Sequence, residues 1–494
     1  MRGVIFTSVT LILFLSPVTA QNWGESRNRS VTREITPVVW NMQTAAHFAR
    51  RAGFSISPEG LDRYVQQGFD TTLDEYLYYE SLDDSEMEAA LAAKEYELTF
   101  FNMSGRERPS RVNLAQWWLF RMVNGQHQLA EKMVYFWHDH FATSVAKVNL
   151  VNPEHEPLVL LQNELFREYA LGNFKELVHK VARDPAMLWW LDNYLNVKER
   201  PNENWARELL ELFTLGIGNY SEKDIQEAAR AFTGWTLDRG ALSFFFWPPL
   251  HDDGQKEFLG ETGLLDGDDI IDIVFDQQVT AEFLAKKLFE FFVYPSPSEE
   301  IVTKLGDVFR DSGYEIRPLL RAIFRHPEFF SERAYRAQIK SPVELVVSTY
   351  RELGISDPAI LPVATRIMGQ ELFLPPDVGG WTSGAGWLNT TTLLNRYNFY
   401  NFVATRRQGS DVFDVDAIIA SNQLGSSFEV VDYFLDTLVQ HDQSRQTFFI
   451  LEDYLKRDDS GMLGEFNVED PTVVDKKVRG LIYLIMTLPV YQLN

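Results

Sequence analysis

The stretch Asn202-Glu203-Asn204-Trp205-Ala206-Arg207-Glu208-Leu209-Leu210-Glu211-Leu212-Phe213-Thr214-Leu215-Gly216 carries every mark of a helix. Pro201 stops what precedes it, and Asn202 stands at the N-cap with Glu203 in the first turn, where an acidic side chain meets the positive end of the helix dipole. Leu209, Leu210, Leu212 and Phe213 supply an apolar face, and Gly216 and Gly218 end the run.

The same grammar extends in both directions. Ser57-Pro58 starts a helix, since proline is tolerated in the first turn. Residues 73–101 are Ala/Glu/Leu-rich and predict one long helix. Residues 113–124 and 128–138 repeat the 3-4 spacing with many aromatics, and the second helix is expected to end near His138. Pro157 opens 158–171, residues 174–183 follow, and Asp184-Pro185 opens a helix through Tyr194. Ser221 and Asp224 have capping-box spacing at the start of a helix reaching Gly234. Residues 235–270 then turn rich in Gly, Asp and aromatics, with room for a short hairpin. Within them Asp266-Gly267-Asp268-Asp269 fits a helix cap better than a calcium loop, because it lacks the closing Glu. Helices resume to the C-terminus, interrupted by a Gly/Pro/Trp loop at 375–387. The predicted class is all-α: a multi-helix globular body with a short β or irregular insert near 235–270 and that loop. Residues 37–494 form one large helical domain on this reading, with 235–270 as the place where two lobes would divide.

The chain begins with Met1-Arg2, an apolar run from Val4 to Leu15, a Ser16-Pro17 break and the small residues Val18-Thr19-Ala20. That is the layout of a secretory signal peptide cut after Ala20; its core of about a dozen residues falls short of the ~20 that span a bilayer. Residues 21–36 are polar and aperiodic, a flexible lead-in. The expected location is therefore secreted or periplasmic, with no transmembrane segment. Cysteine is absent, which excludes disulfides and thiolate chemistry. The formal charge of −24 repels phosphate backbones, so nucleic acid is excluded as an expected partner. Asn-X-Ser/Thr sequons at Asn28, Asn102, Asn219 and Asn389 are near chance for this length.

Four places could carry chemistry. Phe136-Trp137-His138-Asp139-His140-Phe141 holds two imidazoles two residues apart. On a continuous helix these lie about 200° apart and cannot share a ligand. If the helix ends near His138 and the chain then runs extended, they converge as a metal pair or as a base with its orienting partner. The alternative is two histidines hydrogen-bonded in an aromatic core. Glu208 and Glu211 share a helical face at i, i+3 and could divide acid and base roles; Asn202, Asn204 and Arg207 stand beside them as binding residues, or as parts of a structural charge network. His251-Asp252, in the insert, offers Asp252 as a third metal ligand beside His138 and His140, suited to a divalent ion; its alternative is an acidic turn. Trp381 and Trp387 could offer aromatic faces to sugar rings, or plug their loop onto the helical body.

Several phrases occur in a fixed order: the histidine segment, Asp184-Pro185-Ala186-Met187 with Leu191-Asp192-Asn193, the long stretch 202–216, Ala228-Ala229-Arg230-Ala231-Phe232-Thr233-Gly234-Trp235, His251-Asp252, and Pro375-Pro376 with Gly380-Trp381. Together they closely resemble the chiefly bacterial family catalogued as domain of unknown function 1800, from about His47 to the C-terminus. The resemblance implies an exported helical protein, often encoded beside another exported family, and no agreed activity. Asp139 and Asp377 stand where many relatives have Asn, and Trp205 where Phe is common.

The chain has no Walker loop, dinucleotide glycine fingerprint, His-Glu-x-x-His or Gly-x-Ser-x-Gly. The first expectation for function is thus a metal-assisted exported enzyme acting on extracellular polymer or glycan, with His138, His140, Glu208 and Glu211 catalytic. The alternative is a non-catalytic envelope or matrix protein that binds glycan or a co-exported partner. The enzyme is favoured because His and Glu in a helical core cost stability unless paired.

Overall fold

The aromatic-rich helix Gln128–His140 is deeply enclosed: of its thirteen residues, all but Asp139 are buried. A helix apolar nearly all round must be enclosed nearly all round, and the helices Met42–Ala52, Phe69–Leu77, Arg111–Asn124 and Leu158–Glu168 enclose it. Its two buried charges are paired. Glu131 accepts from Trp118 Nε1 (2.8 Å) and Arg167 Nε (2.7 Å), and Lys132 is bonded to Glu344.

The computed structural model describes residues 38–407, 413–458 and 460–494. The signal-like residues 1–20, the lead-in 21–36 and the Asn28 sequon lie outside the described residues. Among the described residues there are twenty-two α-helices, and strands occur only as three two-stranded antiparallel hairpins, so no sheet organises the core. The chain is mainly helical, and no described helix is long and apolar enough to cross a membrane.

Local signals mark many of the helix starts. Ser57, Asp184 and Ser221 each accept a backbone N–H in the first turn, and Ser221 with Asp224 completes a capping box. Asp266 and Asp269 form another, so this acidic stretch begins the helix Gly267–Asp276. Where the sequence reading fails, polar side chains have broken a run of good helix formers. Residues 73–101 are two helices, Phe69–Leu77 and Ser85–Ala93, followed by a strand at Thr99–Phe101. Asp83 accepts the Ser85 N–H (3.0 Å) and Asp84 accepts the Gln126 N–H (2.9 Å), satisfying turn and partner at once. The helix opened by Asp184-Pro185 stops at Trp190, since Asp192 adopts a left-handed conformation with φ +57°.

In the insert, Trp235–Asp238 pairs with Ser243–Phe246, with Trp235 opposite Phe246, and Lys256–Phe258 pairs with Glu261–Gly263. The C-terminus is tied down: Lys340 donates its N–H to Gln492 O (2.8 Å), and Asn494 donates to Gln338 O (2.8 Å). That closure braces the segment 337–341, which forms one wall of the cleft described next.

Candidate functional site

The condition for convergence of the two histidines is not met. The helix continues through His140, and Phe141 is the first residue outside it. The imidazoles therefore leave on different sides. His138 packs against Trp118, Phe373 and Trp381, and its Nε2 accepts the Phe373 N–H (3.0 Å). Nε2 of His140 faces the Phe213 carbonyl (3.1 Å), which assigns the proton to that nitrogen, and Nδ1 then accepts from Lys287 Nζ (2.9 Å). Burial pushes His138 down to about 3 and His140 well below its ordinary value, the latter helped by the Lys287 charge. Both are neutral rings at physiological pH.

His251 and Asp252 are engaged inside the insert. His251 Nδ1 is bonded to Thr233 O (2.8 Å), and both Asp252 oxygens bind Arg230 (2.7 and 3.2 Å). Among the described residues, no group of three His, Asp or Glu is arranged to hold a metal ion. The expected set of His138, His140 and Asp252 is corrected accordingly: helix geometry separates the first two, and a guanidinium occupies the third.

The stretch 202–216 does reach His140, but through backbone. It is α-helical over Asn204–Glu208 and then widens into a π-turn over Leu209–Thr214. A π-turn shifts the bonding register, which turns carbonyls outward, and such turns recur at functional sites. Here Phe213 O takes the His140 bond, and Leu212 O lies 3.5 Å from Lys287 Nζ. The polar side chains of the stretch look elsewhere. Asn202 and Asn204 donate to Asp192 O (3.1 Å) and Leu191 O (3.2 Å), fastening the helix start to the Leu191-Asp192-Asn193 turn. Arg207 bridges Glu203 (3.0 Å) and Glu222 (2.6 Å), and Glu211 accepts from Tyr220 (3.2 Å). Glu208 is half-buried and raised by burial first, then by the Glu211 charge.

A cleft of about 320 Å³ opens at the end of the histidine helix. Asp139 and Lys287 line it, together with Phe136, Glu290, Trp381 and Trp387. The loop 375–387 reaches Asp139 at Gly380, which has φ +82°; a Cβ there would collide with Asp139 Oδ1 and lie 2.8 Å from its carbonyl oxygen. That approach lets Trp381 donate its backbone N–H to Asp139 Oδ1 (2.8 Å). The Trp381 ring is partly covered by His138 and Trp387 is buried, so the tryptophans are cleft wall more than free faces. Burial pushes the Asp139 carboxyl up to about 6, against the Trp381 N–H and the Lys287 charge. Burial brings Lys287 down to about 8, against Asp139 and Glu290. Each group thus changes charge within two pH units of neutrality, a feature that clusters at functional sites.

Lys287 has no sequence signal: it is one of two adjacent lysines in the amphipathic helix Gln278–Phe292. Asp139 was visible only as the residue between the two histidines and as a departure from the Asn of many relatives. Gly380→Ala is expected to lower stability by about 1–3 kcal/mol through the left-handed conformation and the collision. A urea midpoint equal to wild type would show that the loop does not depend on this contact.

No curated protein and no solved structure matches the chain. The family match runs from residue 47 to 493, nearly the whole chain, and takes in the histidine helix, the π-turn segment, the insert and the cleft loop alike. The chain therefore belongs to the family described as Protein of unknown function (DUF1800).

Proposed function

We propose that this is an exported enzyme that takes a sugar-sized part of a neutral extracytoplasmic glycan into the cleft, with Asp139 as the group that takes up and returns a proton. One observation carries the reading: Asp139, titrating near 6, shares the wall of an open cleft with Lys287, while a backbone N–H fixes one of its oxygens. A carboxyl with that value is divided between acid and base near neutrality, which is what general acid–base catalysis requires. A wall that combines aromatic rings with convergent polar groups suits a ring with apolar faces and hydroxyl edges. The charge of −24 favours neutral over anionic glycans. Export rests on the signal-like residues 1–20.

The test is a panel of neutral and acidic oligosaccharides, followed for binding and for new reducing ends across pH, with wild type and Asp139→Asn. With Asp139 as base, activity rises as pH passes upward through about 6, because protonation silences it below that value. Asp139→Asn is expected to lose about 10²–10⁴-fold in rate and the pH dependence with it. If no sugar is bound, or if Asp139→Asn matches wild type, the proposal fails. Trp381 and Trp387 in the same wall favour a second reading, a glycan-binding protein without turnover; the same panel would show binding with no new ends.

A further inference from the structure

We propose that Lys287 is a nucleophile that forms an imine with the open-chain aldehyde of a sugar held in the cleft, with Asp139 donating the proton that removes water. This rests on the cleft assignment made above, and it adds a covalent step that acid–base chemistry alone does not contain.

The argument is geometric. Lys287 lines the cleft and remains partly accessible. A lysine in such a place is ordinarily neutralised by a carboxylate, yet among the described residues none lies within ion-pair distance of Nζ. Its partner is the neutral imidazole of His140, whose Nδ1 is held as an acceptor because Nε2 is committed to Phe213 O. A neutral acceptor orients the amine without fixing its charge, so the nitrogen can give up its proton and present a lone pair. Burial favours the same form, and desolvated lysines are the ones recruited for imine chemistry. Asp139 exerts the largest charge effect on Lys287 and lines the same cleft.

The step balances. The neutral amine adds to the aldehyde carbon; the carbonyl oxygen gains one proton and the nitrogen loses one, giving a carbinolamine. Asp139 then protonates the hydroxyl, which departs as water while the nitrogen lone pair closes the C=N bond. Asp139 is left as a carboxylate, and no oxidant or reductant takes part.

The experiment uses the full-length protein, D-glyceraldehyde as the probe aldehyde and cyanoborohydride to trap imines, with labelled lysines mapped by peptide mass spectrometry. Lys304, whose side chain is 70% exposed, is the internal reference. At pH 7, Lys287 is expected to be labelled at least about 10-fold faster than Lys304, since burial favours its free amine. Asp139→Asn is expected to slow labelling at Lys287 several-fold and leave Lys304 unchanged. Labelling of Lys287 no faster than Lys304 overturns the proposal. The two readings fail separately: oligosaccharide binding that persists in a slow-labelling protein spares the glycan cleft, and fast labelling without oligosaccharide binding spares the imine lysine.

Discussion

Glu131→Ala is expected to destabilise the protein by about 3–5 kcal/mol, the typical result of removing one member of a buried ion pair. Glu131 lies inside the buried histidine helix, where both carboxylate oxygens are used: Arg167 approaches at 2.7 and 3.1 Å, and Trp118 Nε1 at 2.8 Å. Burial alone would raise this carboxyl, but Arg167, the Arg121 charge and the Trp118 N–H together hold the group below its ordinary value. Its contribution is thus complete above the unfolded pKa and is lost as pH falls through the lower folded one. Alanine takes the buried carboxylate from Arg167, leaving it Asn163 (2.9 Å) and the more distant Glu164 (4.0 Å), strips the indole N–H of its acceptor, and adds a cavity beside the helix that carries Asp139. Urea denaturation at pH 7 measures the loss, and a companion Arg167→Met/Glu131→Ala double variant should recover part of it, because neither charge is then stranded. A change under about 1 kcal/mol in the single variant would contradict the central position given to this helix.

Asp139→Asn has the opposite sign. The folded carboxyl titrates near 6, against an ordinary value of 3.8, so the fold prefers its neutral form. The stability contributed by that preference is present below about 3.8 and is lost as pH rises through 6. An amide imitates the neutral acid and still offers Oδ1 to the Trp381 N–H. The full shift corresponds to about 3 kcal/mol; loss of the negative charge beside Lys287 reduces the expected gain to about 1–2 kcal/mol. The gain should appear above pH 6 and vanish near pH 4. The same substitution is predicted to remove activity, so a variant that is more stable and inactive would place Asp139 among residues retained at the expense of the fold. Equal stability at both pH values would mean that the carboxyl is effectively solvated.

How far the candidate site was legible depends on what each feature needs. The helical class and the capping by Ser57, Asp184, Ser221 and Asp266 follow from residues within a few positions of one another. The extent of the histidine helix did not: whether it stops at His138 or His140 turns on packing around Phe141, and two residues of extra helix are enough to send the imidazoles apart. Glu208, Glu211, Asn202 and Asn204 were selected for their chemistry, yet hydrogen-bond partners elsewhere on the chain determine what those groups do. The π-turn at 209–214 is equally hidden, because its visible effect is to present Phe213 O to a ring far away in sequence.

By itself, the order of apolar, capping and breaking residues determined a mainly helical, cysteine-free chain of strongly negative charge, and the run of motifs determined its family. The tertiary structure alone decided that Asp139 and Lys287, 148 positions apart, share one cleft with a loop brought in at Gly380. Periodicity reports which face of a helix is buried. Which two faces then meet, and which charged groups lose their water there, is settled only when the helices pack.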